Sequence, residues 1–199
     1  MPTRSTLPGV LCLEGEWADS LRDRRSVLPV LDLLAHTETA QYVHRRTATS
    51  HEFFHQLNKW LENGFKNDLS RFHTIFIATH GHTGHFQFDD DESISLSELG
   101  AVIDGRASNC YIYFGSCGTM SAPDSDLEAF RRKSGALAVV GYTETIEWLE
   151  SAAFEAILIE EMVASERPLH MFNRLQHNYG VLVERLGLVV VTSSGVRRA

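Results

Sequence analysis

A chain of 199 residues with 43% hydrophobic and 22% charged side chains can bury a sizeable core without disulfide or metal staples. Its composition excludes disordered, collagen-like and coiled-coil classes, and one domain over residues 1–199 is expected. A formal charge of −8 argues against nucleic acid and anionic membrane as partners, both of which call for a basic face, and favours a protein or peptide substrate, a cationic one most easily.

Three cysteines, Cys12, Cys110 and Cys117, are too few and too odd in number for a disulfide framework. No apolar run approaches the roughly 20 residues a bilayer requires, and Leu11-Cys12-Leu13 runs straight into Glu14 instead of forming a signal-peptide core. Both features point to a reducing, cytoplasmic location.

Gly9 to Leu13 reads as a first strand, apolar on both faces and ending in Glu14-Gly15-Glu16-Trp17. After a charged connector, Ser26 is placed to cap a helix through Val27, Val30, Leu31, Leu33 and Leu34, and Gln41 to His44 forms a second, shorter strand. Thr49 and Glu52 have capping-box spacing for a helix that buries Phe53, Phe54, Leu57, Trp60 and Leu61 and ends at Gly64. His73 to Thr79 is a third strand, delivering His80-Gly81. A loop and small hairpin follow before the acidic run Asp89-Asp90-Asp91.

Ser95 or Ser97 caps a short helix through Leu99, Val102 and Ile103, and the strand Asn109 to Gly115 then delivers Ser116-Cys117-Gly118. Gly118 to Asp126 is polar, with small residues and Pro123, and is expected to be a mobile loop. A helix around Leu127 and Phe130, a strand Ala136 to Gly141, an apolar helix Trp148 to Val163, a weaker helix Met171 to Tyr179 and a last strand Leu188 to Thr192 precede a basic tail. Strands alternating with helical patterns predict an α/β fold: a three-layer α/β/α sandwich on a mostly parallel sheet of about six strands. Its working site is expected at the carboxyl ends of the strands.

Those ends carry chemistry. A cysteine peptidase needs a thiolate nucleophile, an imidazole to protonate the leaving amine, and backbone N–H groups for the oxyanion. Cys117 and His80 meet the first two needs, and the N–H groups of Gly81 and Cys117 the third. An apolar strand ending in His-Gly, followed later by one ending in a small residue and Cys, resembles the caspase-like superfamily, which also holds the legumains, gingipains, separases and bacterial CHAT peptidases. The resemblance is carried by Ile77-Ala78-Thr79-His80-Gly81 and Tyr113-Phe114-Gly115-Ser116-Cys117-Gly118. It implies Cys117 as nucleophile, His80 as acid/base, Gly81 as oxyanion donor, hydrolysis through an acyl-enzyme, and no metal or cofactor.

Gly-Ser-Cys-Gly-Thr stands where caspases proper have Gln-Ala-Cys-x-Gly, so aspartate specificity does not follow. Glu14, Glu16, Glu144 and Glu147 at strand ends point instead to a basic P1 residue, and Trp17 and Trp148 either wall a pocket or simply pack. Cys12 and Cys110 are expected to be buried apolar side chains. Control is expected from a regulatory protein partner, oligomerisation or ordering of the Gly118 to Asp126 loop.

Two other readings use the same stretch. Thr79-His80-Gly81-His82-Thr83-Gly84-His85 nearly reproduces a metallo-β-lactamase zinc motif, with His80, His82 and His85 as ligands, although Gly84 replaces its Asp. A caspase-like fold can also serve as a non-catalytic scaffold or regulator.

Overall fold

The computed structural model describes residues 6–18, 20, 22–63, 70–88 and 92–199. The proposed helix end at Gly64 and the acidic run 89–91 lie outside them.

Among the described residues seven strands form the main sheet: β1 (Gly9–Glu14), β2 (Gln41–Arg46), β3 (Phe72–Ala78), β7 (Tyr111–Phe114), β8 (Ala138–Tyr142), β9 (Leu188–Thr192) and β10 (Gly195–Arg198), in the spatial order β10-β9-β8-β7-β3-β1-β2. A second, three-stranded sheet is made of β4 (His80–His82), β5 (His85–Gln87) and β6 (Ser93–Ser95). The α-helices among the described residues are α1 (Leu28–His36), α2 (Ser50–Asn63), α3 (Leu96–Ile103), α4 (Asp124–Ser134), α5 (Trp148–Val163) and α6 (Pro168–Leu186).

Five strands, from β2 to β8, run parallel. β9 is antiparallel to β8 because two helices, α5 and α6, separate them and return the chain to the opposite end of the sheet. The basic tail is a seventh strand: residues 195–198 fold back on β9, with Val191 opposite Val196. Arginines at 197 and 198 hide a strand signal that Val196 alone cannot carry.

Alternation along each strand divides the core in two. Leu11, Leu13, Ile75, Ile77, Ile112 and Phe114 face α2, α3 and α4, whereas Val10, Cys12, Phe76, Tyr111, Tyr113 and Val140 face α1, α5 and α6. Both faces are covered, which is why the central strands read as continuous apolar runs. The fold is the expected α/β/α sandwich.

Of the two candidate caps for α3, Ser95 is the one used. Its side chain accepts from the Glu98 amide, and the Glu98 carboxylate accepts from the Ser95 amide at 2.8 Å. Ser95→Ala is expected to cost about 1 kcal/mol, read as a lower denaturant midpoint, while Ser97→Ala at an exposed position leaves the midpoint unchanged.

The stretch after Cys117 is not an open loop. Thr119–Ser121 is a turn of 3-10 helix, Thr119, Met120 and Ala122 are buried, and α4 begins at Asp124. Small polar residues here pack and bond instead of solvating. The weaker helix also runs further than its pattern predicted, to Leu186, with non-helical backbone at Tyr179.

Candidate functional site

The sheet order reverses at β1: the chain goes from β1 out to β2, then returns to β3 on the other side. In open parallel sheets such a reversal leaves a crevice at the carboxyl ends of the strands. Here it falls between Glu14 and Ala78, the last paired residues of β1 and β3.

β3 and β7 are neighbours in parallel register, with Ile77 opposite Phe114 and the Gly115 amide donating to the Ile77 carbonyl at 2.9 Å. His80 and Cys117 each lie three residues beyond that rung. The segments they begin stay in contact: a Cβ built on Gly81 would stand 3.0 Å from the Cys117 carbonyl oxygen and 2.8 Å from Ser116 Cβ. Only glycine lets the two main chains approach this closely.

Hydrogen bonds stitch the Cys117 segment on both sides. Ser116 and Thr119 hydroxyls are 2.7 Å apart, Thr119 Oγ1 donates to the His85 carbonyl, and the Gly84 amide donates to the Thr119 carbonyl. On the other side the Gly118 amide donates to the Glu144 carbonyl, and Ser121 Oγ donates to that of Thr143. The small sheet and the β8–α5 connection therefore hold Cys117 between them.

Cys117 is the partly exposed member of three free thiols. Burial pushes the Cys110 thiol up to about 12, and burial together with Glu14 and Glu155 raises that of Cys12. Neither is a usable nucleophile.

His80 is exposed, and its Nε2 lies 3.1 Å from the Trp17 carbonyl oxygen. A carbonyl only accepts, so Nε2 carries the proton in this contact, and Nδ1 is the acceptor of the neutral ring. The Trp17 ring meets His80 edge-on, with centroids 5.4 Å apart, and Trp148 at 4.7 Å. The two tryptophans thus form one aromatic wall.

The expected acidic residues separate. Glu14 is 0% exposed, its oxygens filled by protein donors, so it is sealed from any substrate side chain. Glu16, Glu144 and Glu147 are exposed. Sequence reasoning passed over Arg25, whose guanidinium donates to the same Trp17 carbonyl as His80, at 3.0 Å. Its only signal was membership of a charged connector.

The histidine cluster does not converge as the zinc reading required. His80 turns to Trp17, while His82 and His85 stack on each other with centroids 4.9 Å apart, His82 beside Ser93 Oγ and His85 beside the Thr83 carbonyl. Among the described residues no three His, Cys, Asp or Glu side chains are grouped to hold a metal ion. The turn Thr83-Gly84 splits the motif across two antiparallel strands, His82 opposite His85.

A model described as a family of unknown function (DUF6642) matches residues 8–190. The chain belongs to this family. No curated protein matches it. Among solved structures, this DUF6642 chain is similar to the Drosophila initiator caspase Dronc, at 9% identity and a TM-score of 0.52, covering 93% of this chain and 74% of that one. A putative cystathionine beta-lyase from Clostridium acetobutylicum matches at 14% identity and a TM-score of 0.38, over 76% of this chain and 38% of the other. The similarity to Dronc shows that the DUF6642 fold here is caspase-like. Among the described residues no helix is long and apolar enough to cross a membrane.

Proposed function

We propose that this chain is a cysteine peptidase in which Cys117 is the nucleophile and His80 the acid/base. The observation that carries the reading is the parallel register of β3 and β7, which starts the His80 and Cys117 segments from one rung and keeps them in contact. Cys117 Sγ loses its proton to His80 Nδ1 and attacks the scissile carbonyl. The C–N bond then breaks, with His80 returning the proton to the leaving amine, and water hydrolyses the thioester.

The ladder between β4 and β5 closes on a two-residue turn, so its bonded pairs fall at His82–His85 and His80–Gln87. The Gly81 amide then points away from β5, available with that of Cys117 to the oxyanion. Glu16, Glu144 and Glu147 are the acids left on the rim to favour a basic P1 residue.

The test is cleavage of a peptide library by wild type and Cys117→Ala, with an alkylating agent and with a chelator. Cleavage should fall by at least about a thousandfold in Cys117→Ala and on alkylation, as expected for removing a nucleophile, and survive the chelator; the P1 residues of the products report on the acidic rim. Cleavage that persists in Cys117→Ala would sink the proposal, and no cleavage by wild type would favour the scaffold.

A further inference from the structure

We infer that Glu14 is a positioning residue, a buried carboxylate that holds Trp17 and through Trp17 fixes the ring of His80. The inference rests on the peptidase reading for its consequence in catalysis, but the arrangement stands on its own contacts. Glu14 Oε1 accepts from the Trp17 indole N–H and the Val27 amide, both at 2.8 Å. Oε2 accepts from Ser26 Oγ at 2.7 Å and lies 2.6 Å from His44 Nε2. Three segments therefore meet on one carboxylate: the start of the β1–α1 connection, the entry to α1, and β2.

Residues 15–27 contain no helix or strand among those described, so the connection has no ladder of its own to fix Trp17. What fixes it is side-chain chemistry. The indole N–H is tied to Glu14, the ring edge rests on His80 and Trp148, and the carbonyl accepts from His80 Nε2 and Arg25. A fully buried carboxylate is expensive unless every lone pair is used, and an apolar residue at the end of β1 would fill the space more cheaply. Burial raises the Glu14 pKa, but bonds from His44, Trp17, Ser26 and Val27 outweigh it and leave the pKa lowered, so the group is ionised. An ionised acceptor holds an indole N–H more firmly than a neutral one. The residue that serves as a substrate contact in a reading of charge alone thus acts one layer behind the site.

Trp17→Phe separates this role from a purely structural one. It removes the N–H that Glu14 grips, yet keeps an aromatic ring against His80 and leaves the main-chain carbonyl in place. Thermal melting and circular dichroism establish that it folds, which Glu14→Gln, a change at a fully buried site, is less suited to do. The His80 ring tautomer is read by nitrogen-15 NMR on wild type and Trp17→Phe, with His80→Ala assigning its signal, and the rate of Cys117 alkylation by iodoacetamide, with kcat and KM on a cleaved peptide, is taken on all three.

Wild type should show the Nε2–H tautomer and Trp17→Phe a mixture. With a misplaced acid/base, kcat and alkylation should fall by about tenfold or more with KM unchanged. An unaltered tautomer and unaltered rates in Trp17→Phe, while His80→Ala is impaired, would overturn the clamp and leave the peptidase reading intact. If His80→Ala alkylates like wild type but the tautomer loosens in Trp17→Phe, the clamp stands and the Cys–His reading fails.

Discussion

Gly81→Ala is expected to destabilise the fold by about 1–3 kcal/mol, the usual range for overpacking a filled site, and to slow alkylation of Cys117 at least about tenfold. The added methyl would stand 2.4 Å from Thr119 Oγ1, 2.8 Å from Ser116 Cβ and 3.0 Å from the Cys117 carbonyl. None of these neighbours can yield freely. Thr119 Oγ1 donates to the His85 carbonyl and contacts Ser116 Oγ, so moving it breaks the stitch that holds the segment. The other two contacts are Ser116 Cβ, which moves only with its main chain, and a backbone oxygen. Relief therefore requires the Cys117 segment and the His80 strand to separate, which is the motion that would spoil a Cys–His pair.

Gly180→Ala is the control, because its Cβ would meet nothing within 4 Å. A helical glycine with free space should gain stability by a few tenths of a kcal/mol on conversion to alanine. Urea melts and the alkylation time course are the measurements. A Gly81→Ala protein with wild-type midpoint and wild-type thiol reactivity would show that the two segments are not packed as described.

The second large effect concerns Glu155, a buried residue of α5 packed against β7 beside Tyr113 and Gly115. Burial pushes its pKa from 4.5 up to about 7, with the Glu14 charge adding to the rise and the Tyr113 hydroxyl opposing it. Tyr113 Oη lies 3.1 Å from Glu155 Oε1 and 2.8 Å from Tyr142 Oη. One hydroxyl proton serves only one of them at a time. With Glu155 protonated, its O–H donates to Tyr113, which donates to Tyr142; with Glu155 ionised, Tyr142 donates to Tyr113 and Tyr113 to the carboxylate.

A folded pKa above the unfolded value means that the native state holds a proton the unfolded chain has lost. Stability from this group is therefore fully present below about pH 4.5, falls as pH rises toward 7, and is flat above that. The window corresponds to about 3 kcal/mol at 1.36 kcal/mol per unit. Glu155→Gln, neutral at every pH, should lack the decline, so its stability relative to wild type should grow by about that amount between pH 4.5 and 8 in parallel denaturant titrations. Parallel pH curves for the two proteins would contradict a protonated Glu155. Glu14 acts in the opposite sense and a lower window: its lowered pKa contributes stability that is lost as pH falls through the folded value.

Much of the architecture was legible in the chain. Ile75 to Ala78 and Ala136 to Val140 are apolar at successive positions, a pattern that suits a strand covered on both faces, and their alternation with helical stripes points to a parallel sheet. His80-Gly81 and Cys117 stand out as reactive residues at the ends of such runs. Arg197 and Arg198 concealed β10, whose pairing with β9 comes from a neighbour and not from its own pattern. The segment after Cys117 looked mobile because Ser, Thr and Gly solvate in most loops; here Thr119 and Ser121 bond to two other segments, at His85 and Thr143, and Ser116 bonds to Thr119.

The division has a physical basis. Periodicity and composition act within a window of neighbouring residues, so the sequence by itself determined the element types, the two-faced burial of the strands and the candidate pair His80 and Cys117. Strand order and convergence are set by contacts between residues far apart in the chain. Only the tertiary structure placed β3 beside β7 in register, pressed Gly81 onto Cys117, and surrounded Glu14 with Trp17, Ser26, Val27 and His44. A carboxylate next to a tryptophan reads as a surface acid until its four donors, drawn from three segments, close around it and take it out of water.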